Sequence, residues 1–481
     1  MSKNILIFAD GTGQAGGLRP DQNLSNVYKL FRATRIGAES PIDPAKQVAF
    51  YHQGLGTASE KGGIHFGLWD RIRTLAGAAA GLGISKNVTD CYEMILRVFE
   101  PGDRIYLFGF SRGAYTARSL ANVLNLCGVP TDDGHGNPLP RSGRALRAIA
   151  AEAVTKVYDH GAGHPRKEFE AEREEQARRF RAKYKSGDDP DRGDVYPYFI
   201  GLFDAVAALG ISTLQQALIA VLWIGVSCVI AGALSWIAKT LFGAPLLASF
   251  VGILVLIAAI AGVLYFRATY KSIHDFPKKG DHHSHFARWS KKNYDGFLDH
   301  RTDYIRHAMS IDETRKDFPR VIWGSKQFVP REPKPGEPVQ LKQVWFAGNH
   351  SDIGGSYPEE ESRLSDITLS WMKEQIAALP NPVLVDPTRL HTFPDAGGMQ
   401  HSEVESLRDL WPSWSPLKPT WPVEARVVDD AGTLHPTVHE RFTLERVLDC
   451  GAWHLYRPEP LRHHQDVAKF YAAPKVDGVN C

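Results

Sequence analysis

Two stretches near the middle of this 481-residue chain, Leu214 to Ile237 and Leu246 to Phe266, are apolar on every side. Each approaches the roughly 20 residues that a helix needs to cross a bilayer core. Buried helices of large soluble proteins usually keep a polar stripe, and these two show none. The expectation is a two-helix transmembrane hairpin. Trp223, Trp236 and Tyr265 suit membrane interfaces, and Gly225, Gly232 and Gly262 permit close helix packing, while Gln215 and Gln216 blur the start of the first span. Arg267, Lys271, Lys278 and Lys279 follow the second span, against Lys239 alone in the connecting loop. By the positive-inside rule both flanks face the cytoplasm. The expected location is a bacterial-type inner membrane, with a multi-pass anchor and the remainder of the chain cytoplasmic.

An even number of crossings lets one domain be split by the hairpin without being divided between compartments. The expected organisation is a first part over 1–210, the hairpin over 211–270, a second part over 271–380 and a C-terminal extension over 381–481. Outside the hairpin, strand-like runs alternate with helical ones: NILIFA, QVAFYHQG, a helix through KNVTDCYEMILRVFE, RIYLFGF, then a helix through RGAYTARSLANVL. That alternation predicts an α/β fold with a mainly parallel sheet and flanking helices. YFIGLFDAV reads as a short strand, YIRHAMSIDETRKDF as a helix, QVWFAG as a late strand and LSDITLSWMKEQI as a helix. Within 145–195, KEFEAEREEQARRFRAKYK reads as a charged surface helix, with a lid over the site as the alternative. The tail beyond Asn381 is rich in Pro and Trp, lacks periodicity and is expected to wrap the core.

A formal net charge of +2 supplies no field that would recruit nucleic acid. Cys91, Cys127, Cys228, Cys450 and Cys481 show no CxxC spacing and are expected to be reduced and structural. The apolar run from Asn4 to Ala9 stops at Asp10, too early for a secretory signal, and reads as a buried first strand. His282, His283 and His285 form a short tract read as solvated rather than as a metal site.

Gly109-Phe110-Ser111-Arg112-Gly113 fits G-x-S-x-G between an apolar strand and a helix, the setting of a nucleophile elbow. The Arg112 backbone N–H then becomes one oxyanion donor at the positive end of that helix. A serine nucleophile needs a base, and the base an orienting acid. Asp204 closes the strand YFIGLFD and His350 follows QVWFAG, so the chain order is Ser, Asp, His. His307, His401, His435 and His439 compete with His350, and Asp352 competes with Asp204. Neighbouring Asp and His residues rarely face each other well, which favours Asp204. Asp10, Gly11 and Thr12 form a turn after the first strand, able either to complete the oxyanion hole or merely to end the strand.

The blocks FADGT, GFSRGAYTAR, GLFDAV, RHAMSIDE and WFAGNHSDIGGSY followed by LSDITLSWM resemble the α/β-hydrolase domain family that includes type VI secretion phospholipase effectors. The resemblance implies a Ser-Asp-His hydrolase at Ser111, Asp204 and His350. It marks Asp10, His307, Asp312 and Asp352 as further site-lining candidates. Asp204-Ala205-Val206-Ala207 departs from the family's Asp-Thr-Val-Gly, and the glycine run after His350 ends in Ser356. A chain with its own hairpin reads as a resident membrane enzyme, so no toxin role is carried over. The expectation is a membrane-anchored serine hydrolase that cleaves a phospholipid or related acyl ester through an acyl-serine. Its partners are the lipid bilayer and a lipid or acyl-ester substrate, with no cofactor, no metal and no nucleic acid. The rivals are a tethered thioesterase or soluble-ester hydrolase, a non-enzymatic membrane scaffold, and a metal-dependent phosphoesterase using Asp10, His350 and Asp352.

Overall fold

Asn4–Ala9 (β1) is buried along its whole length, so both of its faces must be covered. That is the condition of a strand inside a parallel sheet flanked by helices on both sides. The computed structural model places β1 in a six-stranded sheet with β2 (Gln47–His52), β3 (Arg104–Phe110), β4 (Phe199–Phe203), β7 (Tyr304–Ser310) and β8 (Leu341–Phe346). A separate antiparallel pair, β5 (Tyr270–His274) and β6 (His282–Phe286), falls between β4 and β7 in the chain. The spatial order is β2-β1-β3-β4-β7-β8, and every pairing in the large sheet is parallel. The structure describes all residues except 1, 15, 18–22, 55–81, 188–191, 207–212, 290–298, 317, 319–320, 322, 324–329, 334, 405–420, 450 and 472–481. Cys450, Cys481, part of the juxtamembrane stretch and the side chains of Gln215 and Gln216 therefore lie outside the described residues. Cys91, Cys127 and Cys228 are free.

Side chains alternate across a strand, and the two faces build two cores. Ile5, Ile7, Ile105, Leu107, Ile200 and Leu202 pack against the helix Leu82–Val98 and the elbow helix Arg112–Cys127. Leu6, Phe8, Tyr106, Phe108, Phe199 and Phe203 pack against the helices Asn26–Thr34 and Arg363–Ala377. Across adjacent strands the Phe8 and Phe108 rings stack with centroids 4.7 Å apart. A third core gathers Met309, Trp345, Val438, Phe442 and Tyr456, which fastens the C-terminal residues to the β7–β8 edge.

One expected element changes type. YIRHAMSIDETRKDF is not a helix: Tyr304–Ser310 is a fully buried strand between β4 and β8. Arg306 and His307 disguise it, because a charged pair in mid-strand breaks the apolar run expected of a central strand. Arg306 is buried only because its guanidinium reaches Gln375 Oε1 (2.9 Å) and the carbonyls of Ile305 (2.8 Å) and Val339 (3.0 Å). The polar helix forms over Glu170–Tyr184 and lies along the elbow helix, where Arg181 donates to the Leu126 carbonyl. The tail, which shows no periodicity, contains a short helix at Pro436–Thr443 and a strand pair at Val447–Asp449 and Ala452–His454.

The two apolar stretches are helices at Thr213–Phe242 and Leu246–Thr269, a few residues longer than their hydropathy suggested. Gly243, at φ +66°, breaks the first and Pro245 precedes the second. They pack on each other and are long and apolar enough to cross a membrane, with Val229 73% and Leu247 76% exposed.

The elbow helix is seated directly on the end of β1. A Cβ on Gly113 would lie 2.1 Å from the Ala9 oxygen and 2.5 Å from that of Asp10, both backbone atoms that cannot swing aside. Gly113→Ala is expected to destabilise the protein by about 3 kcal/mol or more. Gly37→Ala, where nothing lies within 4 Å, serves as the control. Thermal unfolding of the two variants measures the difference.

Candidate active site

Ser111 follows β3 directly and holds φ 58° and ψ −125°, a backbone conformation that costs a non-glycine residue roughly 1–3 kcal/mol. The surrounding structure enforces it. The Ser111 N–H donates to the Phe203 carbonyl (3.2 Å), and its own carbonyl accepts from the Tyr115 N–H (3.3 Å). A Cβ on Gly109 would fall 2.5 Å from the Ala114 Cα, so only glycine lets the helix start so close to the strand. Ser111 caps the elbow helix through its backbone without a side-chain capping bond, which leaves Oγ uncommitted to the helix. The Arg112 N–H is the first in that helix, one of the donors that helix geometry leaves without an internal partner.

Asp204 follows β4 with φ 37°, and its side chain is fully buried. Its Oδ2 lies 2.5 Å from His350 Nδ1 and accepts from Arg426 Nη2 (2.9 Å). Oδ1 accepts from Arg426 Nη1 (2.5 Å) and the Ser310 N–H (3.0 Å). Burial alone would raise this carboxyl, but the Arg426 guanidinium and the His350 ring hold it well below the usual carboxylate range. An ionised carboxylate only accepts, so His350 Nδ1 carries the proton of that bond and Nε2 presents a lone pair. His350 Nε2 is buried and has no hydrogen-bond partner. The ring is held between Phe110, next to Ser111, with centroids 4.7 Å apart, and Phe318 at 5.5 Å. Among the described residues no hydrogen bond joins Ser111 Oγ to His350 Nε2. Such bonds are often long in enzymes without substrate and tighten on binding.

The structure distributes the other candidates differently. Asp352 belongs to the cap of the His350–Gly354 helix, where it exchanges hydrogen bonds with Asn349 (2.9 and 3.0 Å) and pairs with His401 Nδ1 (2.8 Å). It therefore orients His401, not His350. His307 Nε2 accepts the Ala205 N–H (3.1 Å), which props the turn after Asp204 from beneath. His435 Nδ1 is engaged with Thr437 Oγ1 at 2.8 Å in the cap of a distant helix, on which His439 also lies. Asp312 accepts from the Gly348 N–H (2.6 Å) and the Tyr456 hydroxyl (2.9 Å), clasping the loop before His350. Burial pushes its carboxyl up to about 7. Asp10 accepts from the Gly11 N–H (2.7 Å) and from the Ser25 and Tyr51 hydroxyls (2.6 Å each), and burial pushes it up to about 6. The Gly11 N–H is thus spent on Asp10, while the buried Thr12 Oγ1 has no partner.

Three contributors were not found from the sequence. Arg426 lies in the aperiodic tail and nothing local marks it. Ser310 and Glu313 sit inside RHAMSIDE, one of the blocks that carry the family resemblance and so a signal that could have pointed to them; Glu313 accepts the His350 N–H (3.3 Å) and pairs with Arg315 (2.7 Å).

A family model described as the catalytic domain of Tle1-like phospholipase effectors of type VI secretion matches residues 3–240 and 259–375. The uncharacterized Saccharomyces cerevisiae protein YEL023C is 30% identical over 130 residues, which make up 26% of this chain and 18% of that protein. An uncharacterized Pseudomonas aeruginosa crystal structure aligns over 81% of this chain and 48% of its own, at 17% identity and TM-score 0.33. The Tle1 effector bound to the VgrG spike aligns over 76% and 53%, at 15% identity and TM-score 0.24. The chain thus spans about half the length of these solved structures and a smaller part of the yeast protein.

Two outcomes follow from the charges. Arg426→Ala leaves a buried carboxylate without its bidentate partner and is expected to cost about 3–5 kcal/mol in denaturant unfolding. Arg426→Lys recovers only part, since an ammonium lacks the planar fork. Asp312 titrates at about 7 when folded against 3.8 when free, so the stability its protonated form contributes below about pH 4 is lost as pH rises through about 7. Asp312→Asn removes that loss. Its melting temperature relative to wild type is expected to climb between about pH 4 and pH 8, and a flat difference refutes the assignment.

Proposed function

We propose, because the chain belongs to the family of Tle1-like phospholipase effector catalytic domains, that it is a membrane-anchored serine hydrolase cleaving the acyl ester of a phospholipid or related lipid. The observation that carries the chemistry is the Asp204–His350 pair, with a buried, unpartnered Nε2, beside a serine held in a strained turn. In this reading His350 Nε2 takes the Ser111 Oγ proton as the oxygen attacks the acyl carbonyl. The Arg112 N–H and the helix dipole receive the developing oxyanion, with the Thr12 hydroxyl the remaining donor of the β1 turn. Collapse of the tetrahedral intermediate expels the alcohol, which takes the proton from His350. Water, deprotonated by the same nitrogen, then releases the fatty acid and regenerates Ser111. Asp204 fixes the ring and balances its transient charge, and Arg426 fixes Asp204.

The lipid substrate and the anchor rest on one another. The exposed apolar faces of the two long helices would be an aggregation hazard in water and are matched by a bilayer. The segment that returns from them is fastened to the domain: Trp289, just past β6, packs against Tyr115 in the first turn of the elbow helix, centroids 6.4 Å apart. Lys271 is bonded to the Thr155 carbonyl (2.6 Å), which leaves Arg267, Lys278 and Lys279 as the positive flank and keeps a cytoplasmic orientation in an inner membrane as the favoured topology.

A fluorophosphonate probe is expected to label the full chain, and Ser111→Ala to abolish labelling and lower ester turnover by about 10³-fold or more. Labelling that persists in Ser111→Ala would sink the serine mechanism. Phospholipid in vesicles is expected to outcompete a short-chain soluble ester. Equal turnover of the two would leave a tethered soluble-ester hydrolase in place of the lipid reading.

A further inference from the structure

Away from Ser111, a second group of ionisable side chains gathers where the polar helix meets the base of the apolar hairpin. His160 lies in the turn Tyr158–Gly161, Glu172 in the first turn of the helix Glu170–Tyr184, and His283 and His285 on one face of β6. One donor atom from each of His160, Glu172 and His285 lies within 4.8 Å of the other two. His160 is 1% exposed. Its Nε2 is 2.7 Å from Glu172 Oε2, while His283 Nδ1 is 3.1 Å from Oε1 of the same carboxylate.

The protonation of His285 follows from its partner. Nε2 lies 2.5 Å from the His160 carbonyl oxygen, which can only accept, so Nε2 carries the proton and Nδ1 is a bare lone pair. That Nδ1 is buried and has no hydrogen-bond partner. Phe169, stacked on the ring at 3.7 Å, prevents the ring from turning out to water. A purely hydrogen-bonded cluster accounts for His160, Glu172 and His283 but leaves this lone pair without a donor. An imidazole that donates from one nitrogen to a backbone carbonyl and presents the other to neighbouring ligands is how proteins orient a metal-bound histidine. Burial also lowers the pKa of both His160 and His285, which favours the neutral rings that metals require.

We propose that His160 Nε2, a Glu172 carboxylate oxygen and His285 Nδ1 bind a divalent transition metal, with Zn²⁺ the best match to two imidazoles and one carboxylate. Tetrahedral Zn²⁺ brings donor atoms to about 3.3 Å from one another, against the 4.8 Å within which one donor atom of each residue now lies. On binding, the proton that His160 Nε2 now shares with Glu172 moves to Nδ1 of the same ring, so that Nε2 offers its lone pair and the imidazole stays neutral. His283 stays on the second carboxylate oxygen and orients it, and a water takes the fourth position. The ion joins three separate segments, the turn, the polar helix and β6, and so fastens the body of the protein to the strand pair from which the apolar helices rise. The tract read from sequence as solvated is divided by strand alternation: His282 falls on the opposite face and stacks on His274 at 4.2 Å.

The test uses the full chain without a polyhistidine tag, stripped of metal, in lipid nanodiscs, titrated with Co²⁺ and then with Zn²⁺. The expected result is one Co²⁺ per chain with the visible absorption of a four- or five-coordinate nitrogen and oxygen site, displaced by Zn²⁺, with a metal-dependent rise in melting temperature. His285→Gln and Glu172→Gln are expected to weaken binding by about 10-fold or more, while His282→Ala leaves it unchanged. Fluorophosphonate labelling checks that each variant is folded. Absence of a one-to-one Co²⁺ site in wild type, an octahedral water-like spectrum, or binding that survives in a folded His285→Gln overturns the proposal.

Discussion

The buried carboxylate of Asp204 is the constraint around which this molecule is arranged. An ionised group with no access to water is tolerated only where every oxygen is met, and here the partners come from three distant parts of the chain. Ser310 ends the neighbouring strand, His350 opens a short helix after the edge strand, and Arg426 belongs to the C-terminal residues. Each segment that reaches the carboxylate is thereby fixed relative to β4. Asp312, Glu313 and Asp352 set the loop that carries His350, and His307 sets the backbone that follows Asp204.

Much of this was legible in the sequence because the relevant physics is local. β1 and β3 are continuous buried runs, and their limits at Asn4–Ala9 and Arg104–Phe110 match the apolar segments residue for residue. The elbow announces itself through two glycines whose absent side chains are the condition of the turn. What escaped is what depends on distant partners. Tyr304–Ser310 could not be read as a central strand, since Arg306 is acceptable there only through Gln375 and the carbonyls around it. Arg426 is one arginine in an aperiodic tail until the fold carries it beside Asp204. Asp352 and His307 were marked as lining the site, and the structure shows them holding backbone in place around it.

β4 and β7 are hydrogen-bonded neighbours although the entire apolar hairpin lies between them in the chain. A right-handed parallel connection ordinarily spends one helix on the crossover. This one makes an excursion through two long apolar helices and the β5–β6 pair before returning to the sheet. The excursion is anchored on return: the Ala287 and Arg288 N–H groups donate to the Thr269 and Ala162 carbonyls (2.7 and 2.8 Å), stitching the hairpin's exit to its own second helix and to the body of the domain.

That connection has a consequence for the order of assembly. As the chain emerges from the ribosome, Ser111 and Asp204 come before the apolar helices, while β7, His350 and Arg426 come after them. The first part of the domain therefore holds a carboxylate whose buried partners, Ser310, His350 and Arg426, have yet to arrive. β7 and β8 can join the sheet only after both apolar helices have been made, so the last strands to close it are also the ones that bring the buried carboxylate its partners.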